Sequence, residues 1–343
     1  MKAVRLMGPE EVRVDDVPEP SLTEPGDAIV RVKSTALCGA DLFPYHGMTP
    51  GFEAGTVLGH EFVGVVEEVG DGVSAVNPGQ RVVNTSMISD GTCPHCRAGR
   101  VTQCESRALF GYSGVYPRLE GGQAELVRVP HANRSLFGIP NNVSDDDAVF
   151  VADILPTGYA GVRRGELQVG DVVVVLGAGP VGLMAVMSAA GAARELIAVD
   201  GVKERRGLAE SLGAHAVAPD EAAAAVESAT GGIGADVVIE AAGALPALDA
   251  SLELVRPQGI VSVIGAHFEP DYPLNNLLMF EKEITLRFTI GDPTRDRERL
   301  LASIEAGAMK PSQVITHRMS LDEAPDAYRL FDAREATKVV LQP

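Results

Sequence analysis

Val172-Val173-Val174-Val175-Leu176-Gly177-Ala178-Gly179-Pro180-Val181-Gly182 decides the fold of this chain. Val172–Leu176 is an unbroken apolar run, as expected of a parallel strand covered on both faces. Gly177 to Gly182 fits G-x-G-x-x-G, and Val181–Ala190 can continue as a helix. In that order the glycines serve a tight turn, close approach of a pyrophosphate and close helix–strand packing. Pro180 and Val181 open the helix, whose N-terminus would present N–H groups and a positive dipole end to phosphate. A second strand, Glu195–Val199, ends in Asp200, eighteen residues past Gly182. An acid near that spacing binds the adenosine ribose 2′-hydroxyl.

Outward from this stretch, strands and helices alternate: His215–Ala218, Asp236–Glu240, Gly259–Ile264 and Ile284–Thr289 complete six strands. That is the pattern of an α/β, Rossmann-type doubly wound parallel sheet. Before residue 145 the texture is different. Residues 1–36, Val57–Val69, Arg81–Asn84 and Ala124–Val129 alternate apolar and polar between Pro and Gly, as short antiparallel strands do. Asp145–Arg163 reads as one helix. After Gly291 come a helix at 293–307, a strand at 313–319, a helix at 322–333 and a closing strand, Lys338–Leu341. The closing strand is expected to return to the first domain.

The chain has 343 residues, room for two cored domains, and a formal charge of −18. That charge argues against nucleic-acid and anionic-membrane partners. No signal core and no apolar run of membrane-spanning length is present, so a cytoplasmic protein is expected. Three of the four cysteines, Cys93, Cys96 and Cys104, crowd together, which favours metal over disulfides.

Three separated positions carry further ligand chemistry: Cys38 in LCGADL, His60 in GHEFVG and Asp153 in ADILPTG. Taken singly, they read equally as a buried thiol, a core histidine and a helix cap. Together with Gly64, Gly70 and Val73 beyond Gly59-His60-Glu61, they make the chain resemble the zinc-containing medium-chain alcohol dehydrogenases along essentially its whole length.

The resemblance implies a discontinuous β-rich GroES-like catalytic domain, residues 1–153 plus 293–343, and a dinucleotide-binding domain, 154–292, with the active site in a cleft between them. It implies that Cys38, His60 and Asp153 hold a catalytic zinc, leaving one position open, as such sites require. Glu61 and Asp41 match neighbouring acids: Glu61 as an occasional ligand, Asp41 as acceptor for the non-ligating N–H of His60. Thr157 matches the position packed on nicotinamide, Arg205 a ribose contact and Lys338 a pyrophosphate contact. A second zinc in the family takes four cysteines, C-x2-C-x2-C-x7-C. Here the first of them is Asp90, so the expected set is Asp90, Cys93, Cys96 and Cys104, with His95 as rival ligand and a metal-free lobe as the plain alternative. The family commonly places Ser or Thr two residues after the zinc cysteine to begin proton release, whereas this chain has Ala40. Tyr45 and His46 are candidate onward acceptors. With Phe43, Phe110, Tyr112 and Met279 they are candidates for lining a substrate cleft or for ordinary packing.

The expected activity is hydride transfer between NAD and an alcohol or polyol, giving an aldehyde or ketone, with two zinc ions per chain. A small-molecule substrate and a homodimer or homotetramer joined through the apolar edge at Ile284–Thr289 are the expected partners. The rivals are a zinc-free enone or quinone reductase on the same fold and a non-catalytic nucleotide- and zinc-binding protein.

Overall fold

The computed structural model describes all residues, 1–343. Residues 1–153 contribute strands β1 (Lys2–Gly8), β2 (Glu11–Asp16), β3 (Ala28–Ala36), β4 (Thr56–Val57), β5 (Glu61–Val69), β6 (Arg81–Asn84), β7 (Met87–Ile88), β8 (Ala108–Leu109), β9 (Leu126–Val129) and β10 (Leu136–Gly138). Six more follow: β11 (Val172–Leu176), β12 (Glu195–Val199), β13 (His215–Val217), β14 (Ala235–Glu240), β15 (Val255–Val263) and β16 (Thr285–Phe288). The last two are β17 (His317–Ser320) and β18 (Val339–Gln342). Two compact units result: residues 1–153 with 292–343, and residues 154–291. No helix is long and apolar enough to cross a membrane.

The first unit is built on a sheet ordered β10-β6-β5-β3-β18-β17, with β9 also on β3. In β3 the middle residues alternate, Val30 and Val32 buried, Arg31 and Lys33 exposed, so one face packs on Phe62, Val66 and Phe110. The closing strand β18 runs antiparallel to β3, pairing Val340 with Ala36. This long-range pairing brings residue 338 beside residue 37.

The second unit is a six-stranded parallel sheet ordered β13-β12-β11-β14-β15-β16, the doubly wound arrangement with its switch point between β11 and β14. All five residues of β11 are buried, which is why its sequence does not alternate. Gly177 leaves the strand at φ +93°, a conformation that favours glycine. A Cβ on Gly182 would lie 1.8 Å from the Gly177 carbonyl oxygen, so the helix Pro180–Ala189 can start only with glycine there.

Three expectations change. Asp145–Arg163 is not one helix: a short turn, Asp145–Ala148, and a 3-10 turn, Val149–Ala152, end at Asp153 (φ −152°, ψ −69°), and a new helix spans Ile154–Arg164. Val57–Val69 is broken at Leu58-Gly59-His60, which leaves His60 immediately before β5. The strand expected at 313–319 begins with a 3-10 turn, Pro311–Val314, and pairs only from His317.

Candidate active site and metal centres

Cys38 follows β3 and caps a 3-10 turn, Gly39–Asp41. Its N–H donates to Asp41 Oδ2 at 2.9 Å, which folds the Asp41 carboxylate back over the turn. The other oxygen of Asp41 lies 3.1 Å from His60 Nδ1, close but off the line of a straight hydrogen bond. Asn84, at the end of β6, holds the His60 segment from behind: its Nδ2 donates to the His60 carbonyl at 2.8 Å, and its Oδ1 accepts from Phe62 N–H at 2.9 Å. The break at Asp153 turns that carboxylate inward. Its Oδ2 lies 3.4 Å from His60 Nε2 and 3.7 Å from Cys38 Sγ, while Oδ1 accepts from the Ser86 hydroxyl at 2.9 Å.

One ligand atom each from Cys38, His60, Glu61 and Asp153 therefore falls within a single 4.8 Å cluster. Whether these residues fit a metal can be tested on their own chemistry. Both ring nitrogens of His60 are buried without a hydrogen-bond partner, and so is Glu61 Oε1. Buried polar atoms are rarely left so without reason. The charges point the same way. Asp41 and Glu61 are buried and Asp153 nearly so, against one ammonium, Lys338, and one imidazole. Removing that much negative charge from water is costly unless a cation joins it. A divalent ion bound by thiolate, the imidazole Nε2 and a carboxylate would answer the orphaned Nε2 and the excess of negative charge.

Burial shifts the protonation of the groups in the cluster. Burial, then the charge of Glu61, push the Cys38 thiol up to about 11. Burial likewise lifts Glu61 to about 7, with Lys338 pulling it back. Burial would raise Asp153 too, but His60 and the Ser86 hydroxyl outweigh it and hold the carboxyl below its ordinary value. A bound cation would displace the thiol proton.

Lys338 is a correction. Expected at a pyrophosphate, it is instead fully buried, its ammonium donating to the Glu61 carboxylate and, at 2.8 Å, to the Leu37 carbonyl, over the face of Phe150. Its charge is committed inside the first unit.

The second cluster comprises Asp90, Cys93, Cys96 and Cys104, again with one ligand atom each within 4.8 Å. Asp90 Oδ1 accepts from the Thr92 and Cys93 N–H groups, and these donors hold its carboxyl well below the usual range. Cys93 Sγ accepts from Cys96 N–H and lies 4.0 Å from Cys104 Sγ. The rival ligand His95 is not in this quartet.

In the second unit Asp200 accepts from Ala178 N–H at 2.8 Å and Val202 N–H at 2.7 Å. It therefore braces the glycine turn, while each oxygen keeps a lone pair for a ribose hydroxyl. A Cβ built on Gly179 would meet only Arg205 Nη1, at 3.8 Å, so the turn leaves open space beside a guanidinium. Thr157 packs against Gly291, just past β16.

Most aromatic candidates prove to be packing. Phe110 stacks edge-on against Phe62, the Tyr45 ring lies on Tyr328, and His46 pairs with Asp332 at 2.7 Å. Tyr112 is different, since its hydroxyl donates to the Ala40 carbonyl. Sequence reasoning passed over Asn84 and Ser86. Their only signal is the polar run Asn84-Thr85-Ser86 that follows Val82-Val83.

Comparison with known proteins agrees with this geometry. The family model described as alcohol dehydrogenase GroES-like domain matches residues 24–141, and the one described as zinc-binding dehydrogenase matches 180–306. Zinc-type alcohol dehydrogenase B of Aspergillus flavus is 35% identical, covering 100% of this chain and 81% of that protein. Sorbitol dehydrogenase of Halalkalibacterium halodurans is 30% identical over 96% of this chain and 95% of its own. The structure of the alcohol dehydrogenase TADH from Thermus sp. ATN1 superposes with a TM-score of 0.96, at 41% identity and coverage of 100% and 99%. The chain belongs to the zinc-containing medium-chain alcohol dehydrogenase family. It is an oxidoreductase of the zinc-type alcohol and polyol dehydrogenase class, with a GroES-like and a Rossmann-like domain.

Proposed function

We propose that this chain is an NAD-dependent zinc dehydrogenase that oxidises a small alcohol or polyol to the aldehyde or ketone, or runs the reverse reduction. Residues 1–153 with 293–343 would be the catalytic domain and 154–292 the dinucleotide-binding domain, in a cytoplasmic enzyme with two zinc ions per chain. The observation that carries this reading is the cluster of Cys38, His60, Glu61 and Asp153 around the orphaned Nε2 of His60.

Cys38, His60 and Asp153 hold the catalytic ion, and Asp90, Cys93, Cys96 and Cys104 hold the other. When bound, zinc supplies Lewis acidity, of the strength that takes water from about 15.7 to about 7. A nicotinamide held by the second unit would supply the hydride acceptor. The chain's own residues do the positioning. Asp41 ties the Cys38 turn and faces His60 Nδ1, which sets the tautomer that points Nε2 into the cluster. Lys338 holds Glu61 to one side. Gly177, Gly179, Pro180, Val181 and Gly182 form the pyrophosphate turn, Asp200 takes the ribose, Arg205 flanks it, and Thr157 supports the nicotinamide.

The test joins metal and activity. Zinc-loaded protein should reduce NAD with some member of a panel of primary alcohols, secondary alcohols and polyols, and elemental analysis should find two zinc ions. Cys38→Ser should lose one ion and the activity, whereas Cys104→Ser should lose the other and mainly lower stability. Active protein containing no zinc would sink the reading.

A further inference from the structure

Ser86 belongs to no motif, yet three bonds fix it. Its N–H donates to the Ala152 carbonyl at 3.0 Å, its carbonyl accepts from Phe110 N–H at 3.1 Å, and its hydroxyl donates to Asp153 Oδ1 at 2.9 Å. It is 5% exposed. Two of those bonds reach consecutive residues, Ala152 and Asp153, at the point where the backbone turns out of the 3-10 segment. Hydroxyl and carboxylate are thus parts of one rigid junction.

The effect falls on the other oxygen. A carboxylate with neither oxygen engaged can rotate and present one oxygen or both. Here Oδ1 is engaged by Ser86, and Oδ2 is the atom turned toward Cys38 Sγ and His60 Nε2. We propose that Ser86 is a positioning residue that makes Asp153 a one-oxygen ligand, so that the carboxylate does not close the coordination place an alcohol needs. This rests on the zinc reading above. A cysteine at position 153 would need no such control, because sulfur offers a single ligand atom. An aspartate offers two, and the serine hydroxyl engages the second.

The test uses cobalt(II) in place of zinc, because four-coordinate cobalt absorbs visible light far more strongly than five-coordinate cobalt. Subtracting the spectrum of cobalt-loaded Cys38→Ser from that of the parent chain removes the contribution of the Asp90–Cys104 cluster. In Ser86→Ala the remaining band should lose most of its intensity as Oδ1 becomes available. Turnover should fall by roughly tenfold to a hundredfold, the usual effect of losing such a support, with KM for NAD unchanged. Ser86→Thr, which keeps the hydroxyl, should restore both. Should Ser86→Ala fail to fold, Ser86→Cys, a weak donor of similar size, carries the same expectation. An unchanged difference spectrum in a folded variant overturns the role of Ser86 alone. Parent and Cys38→Ser spectra that coincide overturn the zinc reading and this proposal with it.

Discussion

Glu61 and Lys338, 277 residues apart in sequence, meet in an ion pair that is wholly shut off from solvent. The pair couples the residue after His60 to the strand that closes the first unit. Removing one partner leaves the other as an unpaired buried charge. Lys338→Met should therefore lower the unfolding free energy by about 3–5 kcal/mol. Lys338→Met combined with Glu61→Leu should recover most of that loss. Urea unfolding in chelator, so that zinc adds nothing, checks it; a double variant no better than the single would show the pair is not the cause.

On the proposed function, Asp200 is expected to set a cofactor preference. Its carboxylate welcomes a free 2′-hydroxyl and repels a 2′-phosphate, by roughly 1–4 kcal/mol at contact distance. NAD should be preferred to NADP by roughly tenfold or more in kcat/KM, and Asp200→Ser should narrow the gap. Lys203, Arg205 and Arg206 lie near enough in sequence to soften it. Equal kcat/KM for both cofactors would show that Asp200 does not discriminate.

Ala40 removes a hydroxyl from the place where relatives begin proton release. Tyr112 does not replace it, because that phenol already donates to the Ala40 carbonyl. An ordered water or a hydroxyl of a polyol substrate is left to carry the proton. Ala40→Ser should raise kcat on a simple alcohol near pH 7 by roughly tenfold to a hundredfold and shift the pH–rate curve, with NAD affinity unchanged. An untouched kcat and pH profile would place the proton path elsewhere.

Asp27 gives an acid-sensitive contribution to stability. Burial would raise its carboxyl, but Thr23 N–H, Arg128, Glu24 N–H and the Thr23 hydroxyl outweigh burial and hold it below the ordinary value of 3.8. A depressed native value means the contribution is complete above the unfolded value and disappears as pH falls through the native one. Asp27→Asn should thus be less stable than the parent at pH 7, with the difference closing below about pH 4. A gap of constant size from pH 7 to pH 2 in urea midpoints would contradict this.

Strand β16 ends its sheet; Phe288 at its end, Ile290 just past it and Phe280 in the preceding helix are more than half exposed. Such an edge pairs readily with another chain. A homodimer or homotetramer is expected by light scattering at micromolar concentration, and a stable monomer would refute it.

What the sequence discloses here follows how local each signal is. Val172–Leu176, the glycine turn and Asp200 form one short unit whose spacing carries its own geometry, and the parallel sheet was legible from it. The place of Asp153 beside Cys38 and His60 was legible only through resemblance, because the break that aims it lies inside a stretch with helical patterning. Lys338 read as a pyrophosphate contact because nothing nearby announces the pairing of Val340 with Ala36 that carries it to Leu37, just past β3. Ser86 and Asn84 act through partners distant in sequence, His60, Phe62, Phe110, Ala152 and Asp153, which a short polar run does not announce.

The first unit is assembled from two separated stretches, and this imposes an order on its birth. Strand β18, which lies between β3 and β17, is translated only after residues 154–291 have emerged. Until then Glu61 has no Lys338 ammonium beside it, and Thr35 and Ala36 at the end of β3 lack their β18 partners. A chain cut short before Lys338 would hold every strand of the parallel sheet but leave Glu61 without its buried partner.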